Sequence, residues 1–136
     1  MNETDEKQSK EEGIEPFGPV IFSYTRAQAI EDGVLIDVTD AAKEAGFLHP
    51  FSMTAEAWGL IEDIPSRYGH EDVQGRLWDV LTLARYAILK MGKGVYEVCF
   101  EPILHHNGGD TAKFKLHIGP GDSGEPVLTL MLPWQD

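Results

Sequence analysis

The sequence predicts a single α+β domain: a three-stranded antiparallel C-terminal meander packed against one long helix, preceded by short helices and one or two short strands. Three observations predict it. Apolar residues recur at three- and four-residue spacing from about residue 71 to 91, the period then switches to two, and cap and turn residues cut residues 16–70 into short pieces. Composition agrees. With 42% apolar and 25% charged side chains among 136 residues, a core can form without metal or disulfide staples. The single cysteine, Cys99, excludes an intramolecular disulfide and any multi-cysteine zinc site.

Residues 1–15 are polar and acidic, with no periodicity, and read as a disordered tail ahead of one domain over residues 16–136. No segment resembles a signal peptide or a membrane span, so the expected location is the cytoplasm. Pro16, Gly18 and Pro19 lead into Val20-Ile21-Phe22, a short apolar run of edge-strand character. Thr25-Arg-Ala-Gln28 has the form of a capping box and predicts a short helix to about Glu31, stopped by Gly33. Val34 to Val38 reads as a strand. Thr39 then caps a second short helix, Asp40 to Ala45, which Gly46 ends. Phe47 to Met53, broken by Pro50, reads as irregular or extended. Thr54 caps a helix over Ala55 to about Asp63, terminated by Ile64-Pro65. After a loop over Ser66 to His70, the long helix runs from Glu71 or Asp72 to Met91. Its stripe is Val73, Leu77, Val80, Leu81, Ala84, Ala87 and Ile88. Gly75 lies inside that pattern and marks a close helix crossing or a late start.

Val95 to Leu104 and Thr111 to Ile118 alternate as strands. Tyr96, Val98, Phe100 and Leu104 share one face, and Ala112, Phe114, Leu116 and Ile118 share another. For both sets to face one core, even-numbered residues must oppose even-numbered residues. A two-residue Asn-Gly turn breaks that parity and would set Phe100 against Lys115. Packing therefore predicts a three-residue loop, Asn107 to Gly109, with a glycine bulge. That register places Glu101 opposite Lys115 and Cys99 opposite His117. A turn over Gly119 to Gly124 and a third strand, Val127 to Leu132, complete the meander, with Leu128, Leu130 and Leu132 facing the core.

Charge narrows the function more than any motif does. Twenty-three acids against 11 bases give a net charge of −12, which disfavours direct nucleic-acid binding. The charge is uneven: residues 31–72 carry a net −8, whereas residues 76–115 carry +2. Chemical motifs are sparse. His105-His106 with Asp110 has metal-ligand composition, but adjacent strand residues point to opposite faces, so His106 and Asp110 are expected to form a surface pair. A Cys99–His117 nucleophile pair would sit mid-sheet without oxyanion donors. Gly119-Pro-Gly-Asp-Ser-Gly124 lacks the Lys-Ser/Thr of a phosphate loop and precedes no helix. No metal, cofactor or catalytic residue is predicted.

The stretch YTRAQAIEDGVLIDVTDAAKEAGF (Tyr24 to Phe47), with GRLWDVL (Gly75 to Leu81) and GPGDSGEPVLTLMLP (Gly119 to Pro133), resembles a family of small bacterial proteins carried on plasmids, phages and related mobile elements. The family is catalogued as a domain of unknown function, and the likeness spans roughly residues 20–133. The resemblance implies an accessory protein of a mobile element. Together with the charge, it leads to the expectation of a non-enzymatic binding protein, an inhibitor of a host defence nuclease by DNA mimicry. Its expected partner is a protein with a basic surface. Glu31, Asp32, Asp37, Asp40, Glu44, Glu62 and Asp63 would supply the contacts, with exposed Trp134 as an aromatic anchor. The alternative is a small enzyme or nucleotide binder with a site around Tyr24, Arg26 and Asp37.

Overall fold

The computed structural model describes residues 24–136. The expected strand at Val20–Phe22 and the acidic tail lie outside the described residues. The capping box forms as predicted: Thr25 Oγ1 accepts from the Gln28 amide and Gln28 Oε1 from the Thr25 amide, both at 3.0 Å. It opens α1 (Arg26–Glu31), and Gly33, at φ +79°, turns the chain out of the helix. There follow β1 (Leu35–Asp37), α2 (Thr39–Glu44), β2 (Phe51–Thr54), α3 (Ala55–Glu62), a 3₁₀ turn (Ser66–Tyr68) and α4 (Val73–Leu89). The last third contains β3 (Glu97–Phe100), β4 (Ile103–His106), β5 (Gly109–Thr111), β6 (Phe114–Pro120) and β7 (Pro126–Met131).

Two local expectations are corrected. Thr39 is the first residue of α2 rather than its cap. Its hydroxyl donates to Asp37 Oδ1 at 2.6 Å and accepts from the Phe51 amide at 3.1 Å, so it ties this junction to β2. Gly75 marks neither a helix crossing nor a late start. It lies in the first turn of α4, where its amide donates to the capping carboxylate of Asp72 at 2.6 Å.

The larger correction concerns the sheet. The meander is part of a five-stranded mixed sheet, in the order β1-β2-β7-β6-β3, with β4 and β5 forming a separate hairpin. Of the two readings of Phe47 to Met53, irregular or extended, its last residues take the extended one: Phe51 to Thr54 forms a strand that pairs parallel with β7, Phe51 opposite Leu128 and Met53 opposite Leu130. Phe51, Ser52 and Met53 are all buried, so β2 shows none of the alternation that reveals a half-exposed strand. The cover is also broader than one helix. Ala42 of α2, Ala57 and Ile61 of α3, and Leu77, Val80, Leu81 and Ala84 of α4 pack on one face of the sheet. They meet Phe51, Met53, Phe114, Leu116, Leu128, Leu130 and Leu132.

The β3–β6 register keeps the predicted parity but is displaced by two residues. Phe100 lies opposite Phe114, with ring centroids 5.9 Å apart, and Cys99 opposite Lys115. His117 therefore faces Glu97 rather than Cys99, and the Glu101–Lys115 pair does not form. The connection is no three-residue loop. The chain leaves the sheet after Phe100 and makes the β4–β5 hairpin, with Asn107-Gly108 as a tight turn between paired His106 and Gly109. An irregularity between Ile103 and His106 absorbs the odd residue, so that Ile103 pairs with Thr111 and Leu104 is buried in the core. Turn chemistry and core packing are thus both satisfied, at different places.

Candidate functional site

Helix α4 carries two apolar stripes. The predicted one is buried against the sheet and α2–α3. The second, Trp78, Thr82, Leu83, Tyr86 and Leu89, recurs at the same helical spacing but faces outward, leaving Trp78 46% and Tyr86 55% exposed. Beside it run β3 and the turn that follows, and between them lies a groove of about 810 Å³. Val98, Cys99, Phe100 and Pro102 form its strand side, and Ile103 stands 75% exposed at its mouth. Large apolar side chains clustered in this way are uncommon on a surface without a partner. Thr82 Oγ1, which also lines the groove, is the buried side-chain polar atom without a hydrogen-bond partner among the described residues.

Among the described residues, strand β3 is an edge of the sheet. Tyr96 O accepts from Ile118 N at 2.8 Å, so even-numbered residues of this strand direct their backbone groups inward, to β6. By alternation, Glu97 and Cys99 direct theirs outward. The groove and the free edge are contiguous.

The acidic residues singled out by sequence stand elsewhere. Asp37 and Asp40 line a shallow depression of about 330 Å³ together with Thr39 and Trp58. Glu31 and Asp32 belong to the end of α1, Glu44 to α2, and Glu62 and Asp63 to the end of α3. Three of the seven serve as internal acceptors: Asp32 from the Tyr24 hydroxyl at 2.6 Å, Asp37 from Thr39, and Asp63 from Asn107. Trp134 is 77% exposed, in the turn after β7.

Of the alternative site, Tyr24 and Arg26 line one open cavity of about 500 Å³ together with His117 and Asp122, whereas Asp37 lines the separate depression beside Trp58. The Tyr24 phenol is raised above its ordinary pKa by its hydrogen bond to Asp32. Arg26 docks α1 on the second face of the sheet, donating from Nη1 to Thr129 Oγ1 at 2.8 Å and from Nη2 to Leu128 O at 2.7 Å. Burial lowers its pKa, against the opposing pull of Asp37, Asp122 and Glu125. Beneath it a polar row crosses the whole sheet on one face, Asp37, Ser52, Thr129, His117 and Glu97 in strand order. Asp122 completes the docking: its carboxylate accepts from the Arg26 and Ala27 amides at 2.8 and 3.1 Å. The glycine-rich turn thus caps a helix 96 residues away. Asp122→Ala is expected to cost about 1 kcal/mol and to speed hydrogen exchange at those two amides in preference to the core strands. Unchanged exchange there would show that water replaces the cap.

The β4–β5 hairpin carries the remaining polar cluster. His105 stacks on Tyr68, with centroids 4.1 Å apart and planes at 7°, and pairs with Asp110 at 3.1 Å. The expected His106–Asp110 pair is replaced, because His106 Nδ1 accepts from the Gly108 amide and Nε2 lies 2.9 Å from Thr111 O. Among the described residues no three His, Cys, Asp or Glu side chains gather as metal ligands. Asp63 anchors the hairpin tip, accepting from Asn107 N at 3.1 Å and Asn107 Nδ2 at 2.5 Å. These bonds hold its carboxyl below the ordinary value. A lowered folded pKa means the anchoring is complete above the ordinary carboxylate pKa of about 3.9 and is lost as pH falls through the lower folded value. Acid titration followed by NMR should therefore release the Asn107 amide below about pH 4, and Asp63→Asn should release it at neutral pH. An Asn107 resonance indifferent to both would refute the anchor.

None of Trp78, Leu83, Tyr86 and Ile103 belongs to the stripe or the site residues that the sequence predicts. The available signal was the second stripe on α4. The chain belongs to a family of unknown function, DUF6573, whose model matches residues 16–136. No curated protein and no solved structure matches it.

Proposed function

We propose that this member of the family is a non-enzymatic binding protein that presents the groove between α4 and β3 to another protein. The observation that carries the reading is the outward apolar stripe of α4 lying alongside a sheet edge that is unpaired among the described residues. Burial of Trp78, Leu83, Tyr86 and Ile103 would supply a hydrophobic centre, and aromatic residues are the usual anchors of such interfaces. The internal hydrogen bonds of Tyr24, Arg26 and Asp37 favour binding over the catalytic alternative. The test is affinity capture from the native cell with the wild-type protein and the double variant L83D/Y86S. Both replaced residues are exposed, so the variant should melt with the wild type. It should lose a specific set of captured proteins. Capture identical to wild type would refute the groove.

The net charge of −12 favours a second reading, in which an accessory protein of a mobile element engages the basic groove of a host nuclease. The carboxylates not used internally, Glu31, Asp40, Glu44 and Glu62, are exposed and would carry it. A variant neutralising these four, D40N and E31Q/E44Q/E62Q, should then lose a salt-sensitive partner that the groove variant retains. Affinity for that partner unchanged from low to high salt would exclude the electrostatic mechanism.

A further inference from the structure

We infer that the occupant of the groove is an extended segment of another protein, added as an antiparallel strand to β3, with large apolar residues alternating with Lys or Arg. The inference rests on the groove reading above and identifies its partner. The backbone groups of Glu97 and Cys99 point away from β6, which leaves donors and acceptors on this edge for a new strand. Residues of the added strand opposite Val98 and Phe100 would face the groove and meet Trp78, Leu83 and Tyr86. Those opposite Glu97 and Cys99 would lie on the other face of the sheet. On that other face Glu97 would stand directly beside the strand's polar positions, with His117 and Lys115 of β6 one strand further away; Asp79 lies on the groove side, and Glu101 accepts from Thr111 at 2.8 Å. An incoming strand is therefore favoured when its polar positions are basic.

The same glutamates argue against a second copy of this chain as the occupant. Outward hydrogen bonding belongs to odd-numbered residues, so two β3 strands would pair odd with odd. Pairing Glu97 with the other copy's Glu97 or Glu101 opposes like charges directly. Pairing it with the other copy's Cys99 leaves it diagonal to both glutamates. Each register that overlaps the strand carries repulsion, a common protection of open edges.

The experiment titrates the full chain with short capped, fluorescent peptides that alternate Val or Tyr with Lys. Controls carry Glu in place of Lys, or backbone N-methyl groups at alternate residues of the Lys peptide. The Lys peptide should bind about tenfold or more tightly than the Glu peptide, and E97Q/E101Q should erase the difference. N-methylation, which keeps the charge but removes the edge hydrogen bonds, should abolish binding. Bound peptide should also slow amide exchange at Glu97 and Cys99. Equal affinity for the N-methylated peptide, indifference to peptide charge, or no binding by any peptide would each overturn strand addition. So would a sedimenting dimer of this chain that the Lys peptide dissociates. If the peptides fail while L83D/Y86S still loses its captured proteins, strand addition falls and the groove reading stands. If L83D/Y86S captures everything the wild type does, the groove reading itself falls.

Discussion

Arg76→Ala is expected to cost about 3–5 kcal/mol of folding stability, the range for removing one partner from a buried charged network. Arg76 is only 4% exposed although it is a fully charged side chain. Its guanidinium closes the C-terminal end of α3 from α4, donating from Nε to Ile61 O and from Nη2 to Leu60 O, both at 2.8 Å. Nη1 pairs with Glu71 at 2.9 Å. These carbonyls have no intrahelical donor, and truncation would leave them and the Glu71 carboxylate without their partner. Arg76→Lys should recover only part of the loss, because an ammonium cannot reach two carbonyls and a carboxylate with the planar fork of arginine. Urea unfolding of both variants measures this. A loss under about 1 kcal/mol for the alanine variant, the scale of an ordinary surface change, would mean that water serves the end of α3 equally well.

Phe51→Ala should be comparably severe, about 3–5 kcal/mol from lost burial and the cavity left behind. Phe51 is fully buried, opposite Leu128 of β7 and edge-to-face with Phe47 at a centroid distance of 4.9 Å. It belongs to the cluster shared by the sheet, α2 and α3, so truncation would leave a cavity inside the core. Leu48→Ala, three residues away and 88% exposed, is the control and should change stability by less than about 0.5 kcal/mol. Equal and small effects at the two positions would return this segment to the irregular one of the two alternatives that its sequence left open.

That segment shows where sequence reasoning reached its limit. Capping boxes, helix stops and apolar stripes are contacts between residues three or four apart, so Thr25–Gln28, Thr54–Ala57 and the inner face of α4 were legible locally. Strand parity was legible too, because burial of Phe100 and Phe114 on one side permits only even-with-even pairing. The register within that parity was not, since moving by two residues keeps every side chain on its face. It was decided by the chain leaving the sheet after Phe100 to form the β4–β5 hairpin. The outer stripe of α4 could be counted from Trp78, Leu83 and Tyr86, but its spacing does not say whether another element covers it.

By itself the sequence determined an α+β chain, most of its helix boundaries, the inward faces of its C-terminal strands and its acidic charge. Only the tertiary structure decided that Phe51–Thr54 pairs parallel with β7, that Asp122 caps α1, that Arg76 seals α3, and that β3 is, among the described residues, an edge beside an apolar groove. The reason is separation along the chain. Each of those features joins groups that no local period relates, and their energies arise only once the sheet has brought the groups together.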